Sequence, residues 1–306
     1  MRGHKVAVIG CGLVGSTIAY TLMIKGTFSE MVLIDIDFAR AQGEAMDISH
    51  GIPFNRQMKV ISGDYEETRD ADIVIIAAGG NQKNGETRID LIDRNLKIIR
   101  DIVPKIMQQR FNGIILVVSN PVDVLTYEAW KLSGLPRHRV IGSGTVLDTA
   151  RLKYLIGRKI SVDSRSIHAF IIGEHGDGEI AVWSQANVSG IPLRLFFSMT
   201  GMSGDIEQKV RECAYEIIQR KQATYYGIGS AVNRICEAIV GNEESILPIS
   251  TVLRGEYEIY DVALSVPCIV GERGLENYVA LNLNAAEYDS LVDSAIFLKN
   301  VIQDHM

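Results

Sequence analysis

The feature that most constrains this chain is Gly10-Cys-Gly-Leu-Val-Gly15, which follows a short apolar run and opens a helical pattern. In such a turn the first glycine permits a sharp reversal and the second lets backbone approach a pyrophosphate. The third lets helix and strand pack closely, so that the helix start faces the phosphates. A glycine-rich turn alone could be incidental. Here the strand-loop-helix context is right, and Asp35 ends the next apolar run about 20 residues beyond Gly15. Gly10, Gly12 and Gly15 are therefore expected to cradle a dinucleotide. A carboxylate at Asp35 accepts hydrogen bonds from both ribose hydroxyls and repels a 2′-phosphate, which favours NAD over NADP. Cys11 occupies a place any small residue would serve and is given no redox role.

The rest of the first half keeps the same rhythm. Residues 5–9, 31–35, 58–62, 72–77, 113–119 and 139–142 read as strands, mostly apolar throughout, as strands buried on both faces of a parallel sheet are. Residues 12–25, 37–50, 88–109 and 121–132 carry helical periodicity, with Pro121 in a first turn, where its missing N–H costs nothing. Six strands with intervening helices predict an α/β fold, a Rossmann doubly wound parallel sheet over residues 1–142. After Gly144 the rhythm changes. Helical stretches are expected at 148–156, 205–220, 229–240 and 285–303, and strands at 166–172, 246–253 and 262–270. Residues 143–306 are read as an α+β substrate-binding, catalytic domain. No Pro-, Gly- or Ser-rich linker separates the halves, so a tight interface is expected.

Net charge is -6 with no Lys/Arg block, which argues against a nucleic-acid or anionic-membrane surface. The longest apolar runs fall far short of the ~18 residues a membrane span needs. The N-terminal apolar run is too short for a signal-peptide core. Cys11, Cys213, Cys236 and Cys268 show neither a CxxC pair nor metal-ligand spacing. Free thiols in a reducing compartment follow, and the expected address is cytoplasmic, with no metal site.

A dinucleotide site of this kind serves hydride transfer, and were the acceptor a 2-oxo acid, the chain would need a group to hold the carboxylate, one to polarise the ketone and one to supply the proton. The best proton donor is His175, in the glycine-flanked turn Gly173-Glu-His-Gly-Asp177 after an apolar strand, where a side chain is exposed at a cleft. His4, His50, His138 and His305 lack such a setting. Asp148 and Arg151, three apart on a helix, project from roughly one face and are the candidate carboxylate receptor, although a helix-start Asp with a surface Arg is common. The polar, glycine-containing segment 79–88 follows a buried strand and reads either as a mobile lid or as an ordinary loop. Asn120 ends another strand on the same sheet edge as Gly10 and Asp35.

Taken together, GCGLVG, VLIDID, GEAMD, NQKNGETR, VVSNPVDVLTY, VIGSGTVLDTARL, IIGEHGD and KQATYYGIG resemble the L-lactate dehydrogenase family of the lactate/malate dehydrogenase superfamily, from about Lys5 to the C-terminus. The resemblance implies interconversion of pyruvate and L-lactate with NAD, with His175 as proton donor and acceptor and Asp148 orienting its imidazole. Arg151 would grip the substrate carboxylate bidentately and Arg88 would polarise the ketone from a closing loop. Asn120 would help fix the carbonyl and Thr224 would line the substrate pocket. On the cofactor side the resemblance adds Val14, Arg40, Gly79, Gly80, Val118 and Ser143, with Asn120 also counted there. Gln82 stands where the malate branch carries an arginine for a second carboxylate, which favours pyruvate over oxaloacetate.

The chain also departs from the family. Asn84 replaces a usual proline, Gly178 a usual Ser or Thr, and Gln222 a usual glycine. A branched-chain 2-hydroxyacid dehydrogenase and a malate dehydrogenase remain the alternative readings, and a catalytically inert NAD-binding protein would need a damaged relay. Bacterial relatives are often homotetramers activated by fructose 1,6-bisphosphate bound between subunits. His168 matches the histidine of that site, while Lys153 keeps the charge of the usual arginine without its fork.

Overall fold

The structure is a computed structural model that describes residues 3–80, 88–196 and 199–305. In the first half, β1 (Lys5–Ile9), β2 (Glu30–Ile34), β3 (Lys59–Ser62), β4 (Ile73–Ile76), β5 (Ile114–Val117) and β6 (Val140–Gly142) run parallel in the order β3-β2-β1-β4-β5-β6. This is the expected doubly wound sheet, with strand ends shifted by a residue or two. Every residue of β1, β4 and β5 is buried, because α1 (Leu13–Lys25), α2 (Phe38–His50), α3 (Arg88–Gln108) and α4 (Val122–Ser133) cover the sheet's faces. Strand order reverses between β1 and β4, which opens a crevice at their carboxyl ends.

The second half begins with α5 (Val146–Ile160). The single strand expected at 166–172 is broken into β7 (Ile167–His168) and β8 (Ile171–Gly173). Next come β9 (Glu179–Ala181), β10 (Asn187–Val188), β11 (Ile191–Pro192), α6 (Met199–Lys221) and α7 (Tyr226–Val240). The chain closes with β12 (Ser245–Arg254), β13 (Tyr260–Gly271), β14 (Gly274–Tyr278) and α8 (Ala285–His305). β7 departs from the main sheet to pair with β10, which pairs in turn with β11.

The two halves share one sheet. β12 pairs antiparallel with β6 through Ser250 and Gly142, and β13, β8 and β9 continue outward, giving an 11-stranded sheet among the described residues. Without β12, the edge of β6 would leave its backbone N–H and C=O groups unpaired. The main hydrophobic core accordingly runs from Val6 and Ile75 to Val266 and Leu298 without interruption. A smaller cluster, including Leu152, Ile156, Ile171 and Val210, fastens α6 to α5 and the short strands. Among the described residues, no helix is long and apolar enough to cross a membrane.

Candidate active site

The dinucleotide cradle is made of backbone. Gly10 leaves β1 at φ +95, and a side chain there would press within 2.5 Å of the Ala78 amide nitrogen. A side chain at Gly15 would strike the Gly10 carbonyl, so only glycine lets α1 begin this close to β1. Gly12 caps α1 with no side-chain hydrogen bond, and a side chain built there would meet nothing within 4 Å, so the space before the first N–H groups of the helix is open to an anion. Asp35 sits one residue beyond β2. Its Oδ2 accepts the Cys11 N–H at 2.6 Å and its Oδ1 accepts the Asp37 N–H at 2.9 Å. These bonds hold the carboxylate at the rim of a cavity of about 720 Å³ that Gly10, Gly12, Arg40 and Gly79 also line. A helix start with open donors, a glycine with clear space above it and a carboxylate at the rim together fit NAD. Burial, then the charge of Asp35, pushes the Cys11 thiol up to about 12, so it stays protonated.

The remaining cofactor candidates gather at the same carboxyl edge. The Val118 N–H donates to the Ile76 carbonyl at 2.9 Å and the Ser143 N–H to the Val117 carbonyl at 2.8 Å, which extends the ladders of β5 and β6 by a residue. Val14 is half-buried in the first turn of α1. Gly80 is held through Asn95, whose Oδ1 accepts the Gly80 N–H at 2.9 Å while its Nδ2 donates to the Asn120 carbonyl at 2.7 Å. Asn95 is 2% exposed. It ties the start of segment 79–88 to the Asn120 turn, a role the sequence reading missed. The visible signal was a polar residue inside the apolar stripe Ile92, Leu96 and Ile99. Gln82, Asn84 and the side chain of Arg88 lie outside the described residues.

The catalytic candidates meet in an adjoining cavity of about 300 Å³ lined by Asn120, Asp148, Arg151, His175 and Glu179. Asp148 and Arg151 come from the first turns of α5, and His175 from the turn between β8 and β9. His175 Nδ1 lies 2.6 Å from Asp148 Oδ2, and Arg151 Nη1 donates to Asp148 Oδ1 at 2.7 Å. Burial alone would lower the imidazole pKa. The charge of Asp148, their hydrogen bond and the further charges of Asp123 and Glu179 outweigh it and raise His175 to about 9. Burial would conversely raise Asp148, but His175 and Arg151 together hold its carboxyl below the usual range. His175 therefore carries a proton at neutral pH, presented from Nε2 because Nδ1 is taken.

Two further carboxyls went unnoticed in the sequence. Glu179, 4% exposed, has a buried Oε1 without a hydrogen-bond partner. Burial, with repulsion from Asp148, raises it to about 8 against the attraction of His175, Arg211 and Arg151. Asp123, 2% exposed, lies behind the catalytic turn. Each reads in sequence as an ordinary strand or helix-start acid, and nothing local marks it.

Thr224 sits in the connection between α6 and α7 and is not among the residues lining the catalytic cavity. Its neighbour Gln222 adopts φ +73, the left-handed region that a glycine takes freely and another residue adopts at a cost of about 1–2 kcal/mol. At Gly178 a side chain would press within 2.7 Å of Glu174 Oε2, which instead accepts the Gly178 N–H at 3.1 Å. Lys153 is half-buried on α5, where burial lowers its pKa, and His168 is exposed on β7, which packs beside α5.

Comparison with known proteins agrees with this architecture. Residues 4–142 match the lactate/malate dehydrogenase NAD binding domain, and residues 145–306 match the lactate/malate dehydrogenase alpha/beta C-terminal domain. The chain is 50% identical to an L-lactate dehydrogenase of Acetivibrio thermocellus over 305 residues, covering 98% of this chain and 96% of that one. It is 47% identical to an L-lactate dehydrogenase of Clostridium botulinum over 306 residues, with the same coverage. Its structure superposes on the crystal structure of a lactate dehydrogenase from a Medee basin deep-sea metagenome library with a TM-score of 0.96. Identity to that enzyme is 50%, and 100% of this chain and 99% of that one are covered. The minor L-lactate dehydrogenase of Enterococcus mundtii, in its ligands-bound form, gives a TM-score of 0.96 at 43% identity, covering 99% and 98% of the two chains. The chain belongs to the lactate/malate dehydrogenase family.

Proposed function

We propose that this chain is an NAD-dependent L-lactate dehydrogenase that interconverts pyruvate and L-lactate. The observation that carries this reading is the Asp148–His175 pair beside Arg151, in a cavity that adjoins the dinucleotide cradle at one sheet edge. NADH bound in the cradle supplies the hydride that reduces the carbonyl carbon. Arg151 spends one of its five N–H donors on Asp148 and keeps others for the substrate carboxylate. As negative charge develops on the carbonyl oxygen, His175 Nε2 gives it a proton, and Asp148 keeps the imidazolium stable and correctly turned until then. In the reverse direction the neutral imidazole removes the hydroxyl proton of lactate.

Arg88 is assigned to polarising the ketone, Asn120 to fixing it and Thr224 to the pocket border. The uncharged amide of Gln82 discourages a second carboxylate. Initial rates of NADH oxidation with pyruvate, oxaloacetate and 2-oxoisocaproate test the assignment. Pyruvate should be preferred by at least tenfold in kcat/KM, and preference for either competitor would overturn the role given to Gln82.

We further infer a cytoplasmic homotetramer in which Lys153 and His168 receive fructose 1,6-bisphosphate. Tyr20 and Ile24, exposed one helical turn apart on α1, support a subunit contact. A lowered half-saturation for pyruvate on adding the sugar bisphosphate is expected, and an unchanged saturation curve would remove the activator site.

A further inference from the structure

One buried acid has no part in the proton and hydride steps above. Asp123 lies in the first turn of α4, three residues after Asn120. A first-turn acid ordinarily faces water and gains from the helix dipole. This one is buried, and both its oxygens are spent on residues remote in sequence. Oδ2 accepts the backbone N–H of His175 at 2.8 Å across 52 positions, and Oδ1 accepts the Ser250 hydroxyl at 2.6 Å across 127 positions. Each donor is neutral, and a neutral amide could accept the His175 N–H equally well. Burying a charge there is costly unless a cation lies close. The cation at hand is the imidazolium of His175.

We propose that Asp123 is a positioning residue for the proton donor. It fastens the catalytic turn to the Asn120–Asp123 segment and lends His175 a second negative charge that helps keep the imidazole protonated. The proposal rests on the reading of His175 as proton donor. Asp148 of α5 holds the ring from one side, and Asp123 of α4 holds the backbone from the other. Asn120 and Asp123 belong to one short stretch, so the group assigned to the carbonyl and the anchor of the proton donor move together, although His175 itself belongs to the second half.

The charges around the pair come from every neighbouring element. Asp148 and Arg151 project from α5, Glu179 comes from β9, and Glu174 and Asp177 flank His175 in its own turn. Arg211 and Tyr215 of α6 line the far side of the cavity. Asp123 itself feels burial first, then the opposing hydrogen bonds of Ser250 and the His175 amide, and finally the repulsion of Glu174. The balance brings it to about 6, which leaves it anionic at and above neutral pH.

Asp123→Asn tests the charge with little change of shape. Its amide oxygen can still accept the His175 N–H, and its NH2 can donate to the Ser250 hydroxyl. In pH profiles of kcat/KM for pyruvate, the alkaline limb of the variant should move to lower pH by about half to one unit, since a unit is tenfold in the protonation equilibrium. The loss relative to wild type should therefore be about 2- to 6-fold greater at pH 9 than at pH 6, approaching about 3- to 10-fold further up the limb. A limb that does not move overturns the electrostatic part of the proposal. Asp123→Ala removes the anchor as well, and kcat at pH 6 should fall at least tenfold below that of Asp123→Asn. Equal rates for the two variants overturn the positioning part. If Asp123→Ala does not fold, that loss is itself rescued by Asp123→Asn, and the pH profile decides. Should wild type fail to oxidise NADH with pyruvate, the functional reading fails separately. NMR titration of the His175 imidazole in wild type and Asp123→Asn still reads the same shift.

Discussion

The cofactor cradle and the catalytic cavity adjoin, yet they are built from different materials. The cradle is mostly main chain: a left-handed glycine at Gly10, an uncapped helix start at Gly12 and a close packing at Gly15, with Asp35 and Arg40 as charged groups at its rim. Its parts lie within one strand-helix-strand unit, and what they need is space and free N–H donors. The catalytic cavity is made of side-chain charge. Asp148, Arg151, His175, Glu179 and Asp123 come from separate elements, and each one's protonation depends on the others. A backbone site tolerates a change of pH and fails when a methyl group intrudes. A charge site tolerates small changes of shape and fails when a proton or partner is lost.

The largest effect is expected where the proton itself is removed. His175→Asn should lower kcat for pyruvate reduction by about 10²–10⁴, the range of a general acid. NADH binding, followed by fluorescence, should persist within a few fold, because the cradle shares no side chain with His175. Loss of cofactor binding in this variant would break the separation between the two regions. Arg151→Lys keeps the charge and loses the fork. About 10- to 100-fold in kcat/KM should go, mostly through KM, as expected for one charge-assisted hydrogen bond. A variant with wild-type KM would show that Arg151 serves Asp148 alone.

The pH dependence has a definite sign. Pyruvate reduction needs protonated His175, whose pKa is raised to about 9. kcat/KM for pyruvate in the free enzyme should therefore be level below that value and fall about tenfold per unit above it. Lactate oxidation needs the neutral imidazole and should rise with pH over the same window. A limb near the ordinary histidine value would mean that Asp148 does not govern the proton. The smallest effect is expected at the cradle. Gly15→Ala forces a methyl group against the Gly10 carbonyl and should cost about 1–3 kcal/mol in denaturant unfolding, with weaker NADH binding. The pH limb of any remaining activity should not move.

How much of this could be read in advance follows the same division. The cradle was legible because a tight turn, a close approach and a ribose carboxylate impose residue types at short, fixed spacing. Asp148 and Arg151 were legible as a helical pair for the same reason. His175 stood out through its glycine-flanked turn. The strands β9 and β14 escaped notice: β9 has three residues, too few for a pattern, and β14 is broken by polar residues. The split of the 166–172 run into β7 and β8 was equally hidden, because β7 leaves the main sheet to find its partner in β10.

The sequence by itself determined the α/β class, the order of the first six strands and helices, the dinucleotide turn and the types of group that the chemistry requires. These follow from local rules, namely which residues suit a turn, a buried strand or a helix face. Tertiary structure alone decided that β12 continues the sheet from β6, that Asn95 ties Gly80 to Asn120, and that Asp123 and Glu179 close in on His175. A protonation state depends on burial and on neighbours tens of residues away along the chain, and those distances exist only once the chain has folded.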